Sequence, residues 1–156
     1  MKKYFILIII IFNANRLFPH CQVPCGIYDD ALRIIMIKED FNTIDKAINM
    51  ISKLSKKEDA ISQNQINRWI DAKDAHASNI QGIVSDYFLA QRIKKSNTYY
   101  VDQLKNLHHI LVIAMKCKQD LDINNVKTGL SLIDDFSNLY FDKHGLDHLK
   151  KWDNIK

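Results

Sequence analysis

Apolar residues recur at three- and four-residue intervals over most of this chain, and the recurrence defines four helices. Between Ala31 and Leu54, Ile37, Phe41, Ile44, Ile48 and Ile51 follow a 4-3-4-3 spacing that lines one face of a helix. The polar stretch from Lys53 to Asn64 reads as a helix end and loop. A second helix is expected from about Gln65 to Arg92, with Ile66, Trp69, Ile70, Ala77, Ile80, Val84, Tyr87 and Phe88 on its buried side and Lys73 interrupting the stripe. Asn97 or Thr98 suits the N-cap of a third, whose apolar face is Val101, Leu104, Leu107 or His108, Leu111 and Met115. After a polar break at Asp120 to Asn125, Val126, Leu130, Ile133, Phe136 and Tyr140 face inward from a fourth. His144 to Lys156 is less periodic and reads as a frayed tail. Four comparable amphipathic helices with short connections predict an all-α, antiparallel four-helix bundle.

A different pattern precedes the helices. Lys2 and Lys3 lead into an unbroken apolar run, Tyr4 to Phe12, which is the charged and hydrophobic pair of regions found in secretory leaders. The run is too short to span a bilayer as a helix of the mature protein. A buried N-terminal strand is the other reading, since β-branched residues favour strands. We expect residues 1–19 to be a signal peptide or propeptide that is removed, and residues 20–156 to be the functional domain. Leu17, Phe18 and Pro19 do not make the usual small-residue cleavage site, so a dedicated leader-processing protease or a second trimming step is expected. The expected location is periplasmic or extracellular, with a cytoplasmic protein carrying a cleaved propeptide as the alternative.

Composition supports one helical domain. The 156 residues are 47% hydrophobic and contain only four glycines and two prolines, too few for an all-β chain with its many tight turns. The net charge of +4 is misleading, because Lys2, Lys3 and Arg16 lie in the leader; without them 19 basic residues face 18 acidic ones. That balance gives no electrostatic case for nucleic-acid binding, and no stable membrane anchor remains once the leader is gone.

The chemistry is concentrated between leader and helices, in His20-Cys21-Gln22-Val23-Pro24-Cys25-Gly26-Ile27-Tyr28-Asp29. A disulfide gains most by closing a long loop, so two thiols this close point to metal or redox chemistry rather than to a structural bridge. Pro24 fixes φ and removes a donor, and Gly26 permits close backbone approach, so the stretch reads as a hook. Structural zinc would need a second ligand pair, and a thiol–disulfide module would need a CxxC in a βαβ setting. A non-enzymatic nickel- or copper-binding helical protein is the remaining alternative to an enzyme.

The spacing His20-Cys21-x-x-Pro24-Cys25-Gly26-x-Tyr28-Asp29 resembles the nickel-binding hook of nickel-containing superoxide dismutases, and Ser85-Asp86-Tyr87-Phe88 resembles a motif in that family's second helix. The resemblance implies a four-helix-bundle subunit, assembly into a homohexamer and one nickel per subunit. It implies as ligands the amine and imidazole of His20, the amide nitrogen and thiolate of Cys21 and the thiolate of Cys25, with Tyr28 gating access and Tyr87 close by. His20 would then be the first residue of the mature chain. The implied reaction converts superoxide to O2 and H2O2 through Ni(II)/Ni(III) cycling. Two nitrogens and two thiolates suit square-planar Ni(II), and an axial imidazole favours Ni(III).

Two positions depart from the family pattern. Met36 stands where an acid steadies the axial histidine, so either another group, for which Asp74 and Glu39 are candidates, orients His20 or its axial bond is weak. Asp30 stands where proline is common. Elsewhere, His144 and His148 could share a metal if helical but read as a solvated tail, and His76, His108 and His109 read as structural or surface residues. Cys117, among lysines, is expected to be partly exposed and reactive.

Overall fold

The computed structural model describes residues 29–153, and every regular element among them is helical. Helix α1 spans Asp30–Leu54, α2 Ala60–Gly82, α3 Tyr100–Gln119, α4 Ile123–Tyr140 and α5 Lys143–Asp153; a π-helical segment, Ile83–Arg92, continues α2. Helix α1 packs on α2, α2 on α3, α3 on α4, and α4 back on α1, which closes a ring of four. Short connections make neighbours antiparallel, so the expected bundle is the fold. The start of α1, the end of the π-helical segment, the start of α3 and the end of α4 share one end of it. No helix among the described residues is long and apolar enough to cross a membrane.

The stripe on α1 is buried as its spacing requires: Ile37, Phe41 and Ile44 are fully enclosed, with Ile48 and Ile51 nearly so. Asp59 starts α2 earlier than expected, because its carboxylate accepts the Ser62 amide at 2.9 Å and the Ser62 hydroxyl at 2.7 Å. Ile70 on α2 is exposed rather than buried. Lys73, the residue that breaks the apolar stripe, is 3% exposed and donates through Nζ to the Cys117 and Lys118 carbonyls at 2.6 and 2.7 Å, with Asp74 at 3.0 Å. The buried charge thus satisfies the otherwise orphaned carbonyls at the C-terminus of α3.

The buried face of α3 is Gln103, Leu107, Ile110, Ile113, Ala114 and Cys117, while Val101 and Met115 of the expected face are exposed. The polar Gln103 is buried because its amide donates to the Leu139 carbonyl of α4 at 2.9 Å. Tyr99, not Asn97 or Thr98, precedes the first turn; Asn97 shapes the approach by accepting the Tyr99 amide at 2.8 Å. Asp122 caps α4 through the Asn124 amide at 2.9 Å, which ends the polar break three residues early.

The expected frayed tail is helical instead. The Asp142 carboxylate accepts the Gly145 amide at 2.8 Å, and Leu149 is buried where α5 crosses α1.

Candidate metal centre

His20, Cys21, Cys25 and Tyr28 lie outside the described residues, as do the whole leader and the Val23-Pro24 bond. The described chain begins at the root of the hook. Asp29 is the N-cap of α1, its Oδ1 accepting the Ala31 amide at 2.8 Å and the Leu32 amide at 3.4 Å. Asp30 is the first helical residue, where its negative charge complements the helix dipole. His148 of α5 approaches the same root, with Nδ1 3.7 Å from the Asp29 carboxylate.

Asp30 does more than start the helix. Its Oδ1 accepts a short hydrogen bond from the Tyr87 hydroxyl, its Oδ2 accepts the Tyr140 hydroxyl at 2.7 Å, and Arg92 Nε lies 3.0 Å from Oδ1. Arg92 Nη2 also donates to the Tyr87 oxygen at 2.8 Å. Both arginines sit against the Tyr87 ring, Arg92 at 4.8 Å and Arg33 at 5.3 Å from its centroid.

The π-helical winding makes this possible. Residues five apart in an α-helix point well away from one another, whereas i→i+5 bonding brings Arg92 back over Tyr87. Ile93 donating to the Phe88 carbonyl at 3.0 Å shows the same five-residue step. Beneath the cluster an aromatic column leads into the core: Tyr87 meets Phe88 edge-on at 5.2 Å, Phe88 meets Phe136 at 5.1 Å, and Phe136 stacks on Tyr140 at 5.3 Å. Burial, then the bond to Asp30, pushes the Tyr87 hydroxyl above its ordinary value, and the same two causes act on Tyr140. Both phenols therefore keep their protons at neutral pH.

Of the two acids that could stand in for the one missing at Met36, Glu39 shares its helix and Asp74 lies farther off, while His20 itself is outside the described residues. Asp74 pairs with Lys73, and it stands thirteen residues before Tyr87, roughly 20 Å along the helix at 1.5 Å per residue. Glu39 lies on an exposed part of α1. The buried acid of this region is its neighbour Asp40, which meets His76 Nδ1 at 2.6 Å and accepts the Asn79 amide at 2.7 Å. Burial raises the Asp40 carboxyl above its ordinary value even so. Met36 itself takes a contact from Arg33, Nη1 to Sδ at 3.4 Å.

His76 has the structural role expected of it, and His108 and His109 are exposed. His144 and His148 are helical, but among the described residues no group of three or more His, Cys, Asp or Glu side chains could hold a metal. Cys117 is the clear correction among the thiols. It is fully buried, and burial pushes its pKa up to about 11, so the nearby lysines do not make it reactive.

The hook's own donors fit nickel. The His20 imidazole, backbone nitrogen and the thiols of Cys21 and Cys25 offer the nitrogen–sulfur set that tetragonal Ni(II) prefers. The described residues form a helical bundle that follows this donor-rich stretch directly in sequence, the order of a metal-binding helical protein. The family model for nickel-containing superoxide dismutase matches residues 15–144, most of the chain, and the chain belongs to that family. Its cofactor is nickel and its reaction is the dismutation of superoxide. Most of α5 lies beyond the matched region. No curated protein and no solved structure matches the chain.

Sequence reasoning missed Asp30, Arg92 and Tyr140 as neighbours of the site. Asp30 carried a signal, an acid in a proline's place beside the hook, but its partners stand 57 and 110 residues away in sequence.

Proposed function

We propose that the nickel of this superoxide dismutase is held by the hook from His20 to Cys25, and that the site forms only after the leader is cut immediately before His20. The ligands are the amine and imidazole of His20, the amide nitrogen and thiolate of Cys21 and the thiolate of Cys25. The observation that carries this reading is the placement of the hook's root. Asp29 caps α1 and Asp30 bonds to Tyr87, so the motif of residues 85–88 meets the residues that directly follow the hook in sequence at one end of the bundle. Cys25 is four residues before Asp29, hence within roughly 14 Å of it at no more than about 3.6 Å per residue.

Nickel bound there supplies the one-electron couple that lets one superoxide leave as O2 and the next, with two protons, leave as H2O2. The protein's part is to make and guard that site. Cys21 and Cys25 contribute anionic sulfur, and the Cys21 amide contributes a further anionic donor once its proton is lost. His20 contributes an amine only as the first residue, since an uncleaved Pro19-His20 bond leaves an amide in its place. Pro24 and Gly26 turn the chain so that the two thiolates converge. Tyr28 restricts approach to the metal. Its gating, together with the motif around Tyr87, favours an enzyme over a metal carrier, which needs no control of substrate access.

The same reading takes the mature enzyme to be an exported homohexamer, periplasmic or extracellular, released by a leader-processing protease. Fractionating an expressing culture and measuring the intact mass of the active species tests processing and location together. The expected species begins at His20 and is found outside the cytoplasm. Active enzyme that retains residues of the leader would contradict the processing step.

A further inference from the structure

We infer that Asp30 and Arg92 are positioning residues for superoxide dismutation: with Tyr140 they fix the Tyr87 hydroxyl and bind the root of the hook to the π-helical segment. The inference rests on the hook reading, because it takes the arm that ends at Asp29 to carry the metal.

The Tyr87 hydroxyl has its proton directed to the Asp30 carboxylate and its oxygen bonded by Arg92. It is therefore held in one rotamer and one hydrogen-bonding sense. Tyr140 reaches the second oxygen of the same carboxylate from α4, so Asp30 cannot turn away without releasing a phenol on another helix. Three elements meet on one side chain, and that side chain is two residues from Tyr28. An acid needed only to start α1 would require none of these partners, since Asp29 already caps the helix.

Burial adds to the case. Tyr87 is 5% exposed, and the groups that face it among the described residues include Asp30 and Arg33 from α1, Arg92 from its own segment and, through the shared carboxylate, Tyr140 from α4. The two guanidinium groups lie against the Tyr87 ring, and with the carboxylates of Asp29 and Asp30 at the same place the four charges balance, so the arginines act on Tyr87 by contact and hydrogen bonding rather than through a net field. The clamp thus couples the root of the arm to the position of the Tyr87 hydroxyl.

The test uses the chain beginning at His20, with Asp30→Asn, Arg92→Gln, Arg92→Lys and Tyr140→Phe compared with the unsubstituted protein. Bound nickel, kcat and KM for superoxide are measured, and the ionisation of Tyr87 is followed by NMR in metal-free protein labelled with 13C at the tyrosine Cζ. Asp30→Asn should lower the Tyr87 midpoint and Arg92→Gln should raise it, because the carboxylate holds the proton on and the guanidinium draws it off. Both should keep about one nickel per chain and lose roughly tenfold or more in turnover, the lower end of what removing a supporting group costs. Arg92→Lys, which keeps the charge, should recover part of the loss. Opposite shifts of the midpoint are a result that general loosening would not give.

Variants that keep nickel and full turnover, or whose Tyr87 midpoints move together, would overturn the inference. If Asp30→Asn does not fold, Arg92→Gln and Tyr140→Phe decide the matter, since each leaves the carboxylate in place. An unsubstituted protein that neither binds nickel nor turns over would overturn the hook reading itself, which the metal-free titration distinguishes from failure of the clamp alone.

Discussion

Changing Cys21 or Cys25 to serine is expected to abolish superoxide dismutation while leaving the bundle folded. A serine hydroxyl stays protonated at neutral pH and offers the metal no anionic sulfur, so each substitution removes the kind of donor that tetragonal nickel prefers. The loss should exceed the roughly 10–100-fold that removing a group behind the ligands costs. The described fold gives no reason for collapse, because its core is assembled from residues after Asp29. Cys117→Ala is the control. That thiol is fully buried, its pKa is about 11, and it sits at the end of α3, away from the root of the hook. It should keep its nickel and its turnover. Elemental analysis and a superoxide assay on the three variants check this. Full activity in either serine variant would remove that thiolate from the ligand set.

The second large effect is on stability. Gly129 of α4 faces Phe41 of α1 at the helix crossing, and a Cβ there would lie 2.3 Å from both Cε1 and Cζ of the ring. Phe41 is fully enclosed, so the ring has nowhere to move. Gly129→Ala gains about 1 kcal/mol of helix propensity but overpacks the core, which costs typically about 1–3 kcal/mol and at so close an approach the upper part of that range. We expect a net destabilisation of about 1–2 kcal/mol in urea unfolding. Adding Phe41→Leu should return part of it, since the two residues are in contact and their effects do not add. A Gly129→Ala protein as stable as the parent would show that the crossing is looser than described.

Much of this fold is written in simple spacing. The α1 stripe is legible because most of its buried positions carry Ile or Phe at helical spacing, although the buried Asp40 and Ala47 leave no such mark. Helix α3 is misread in phase for the opposite reason. Its buried face includes Gln103, Ala114 and Cys117, while Val101 and Met115 are apolar but exposed. A buried glutamine that caps a distant helix and a buried lysine that caps another cannot be told from surface residues by periodicity. Lys73 is buried because the carbonyls of Cys117 and Lys118, more than forty residues later, require a donor. The tail was hidden by having one deeply buried leucine, Leu149, in a segment otherwise rich in charge.

The candidate site divides in the same way. The hook stands out as a candidate because its histidine and two cysteines fall within six consecutive residues, His20 to Cys25. The clamp around Tyr87 is assembled from α1, the π-helical segment and α4, and Arg92 joins it only through a five-residue winding that no hydrophobic pattern announces. Asp30 was visible as an oddity, and the structure supplies its partners.

The most direct test of the metal site is to purify two forms, one beginning at His20 and one retaining Pro19, load each with nickel, and measure bound metal and superoxide dismutation side by side. The expected result is that only the His20 form turns over superoxide, because only it offers a free amine on His20 itself. Equal turnover by the Pro19 form would contradict an amine-ligated centre and with it the need for cleavage before His20.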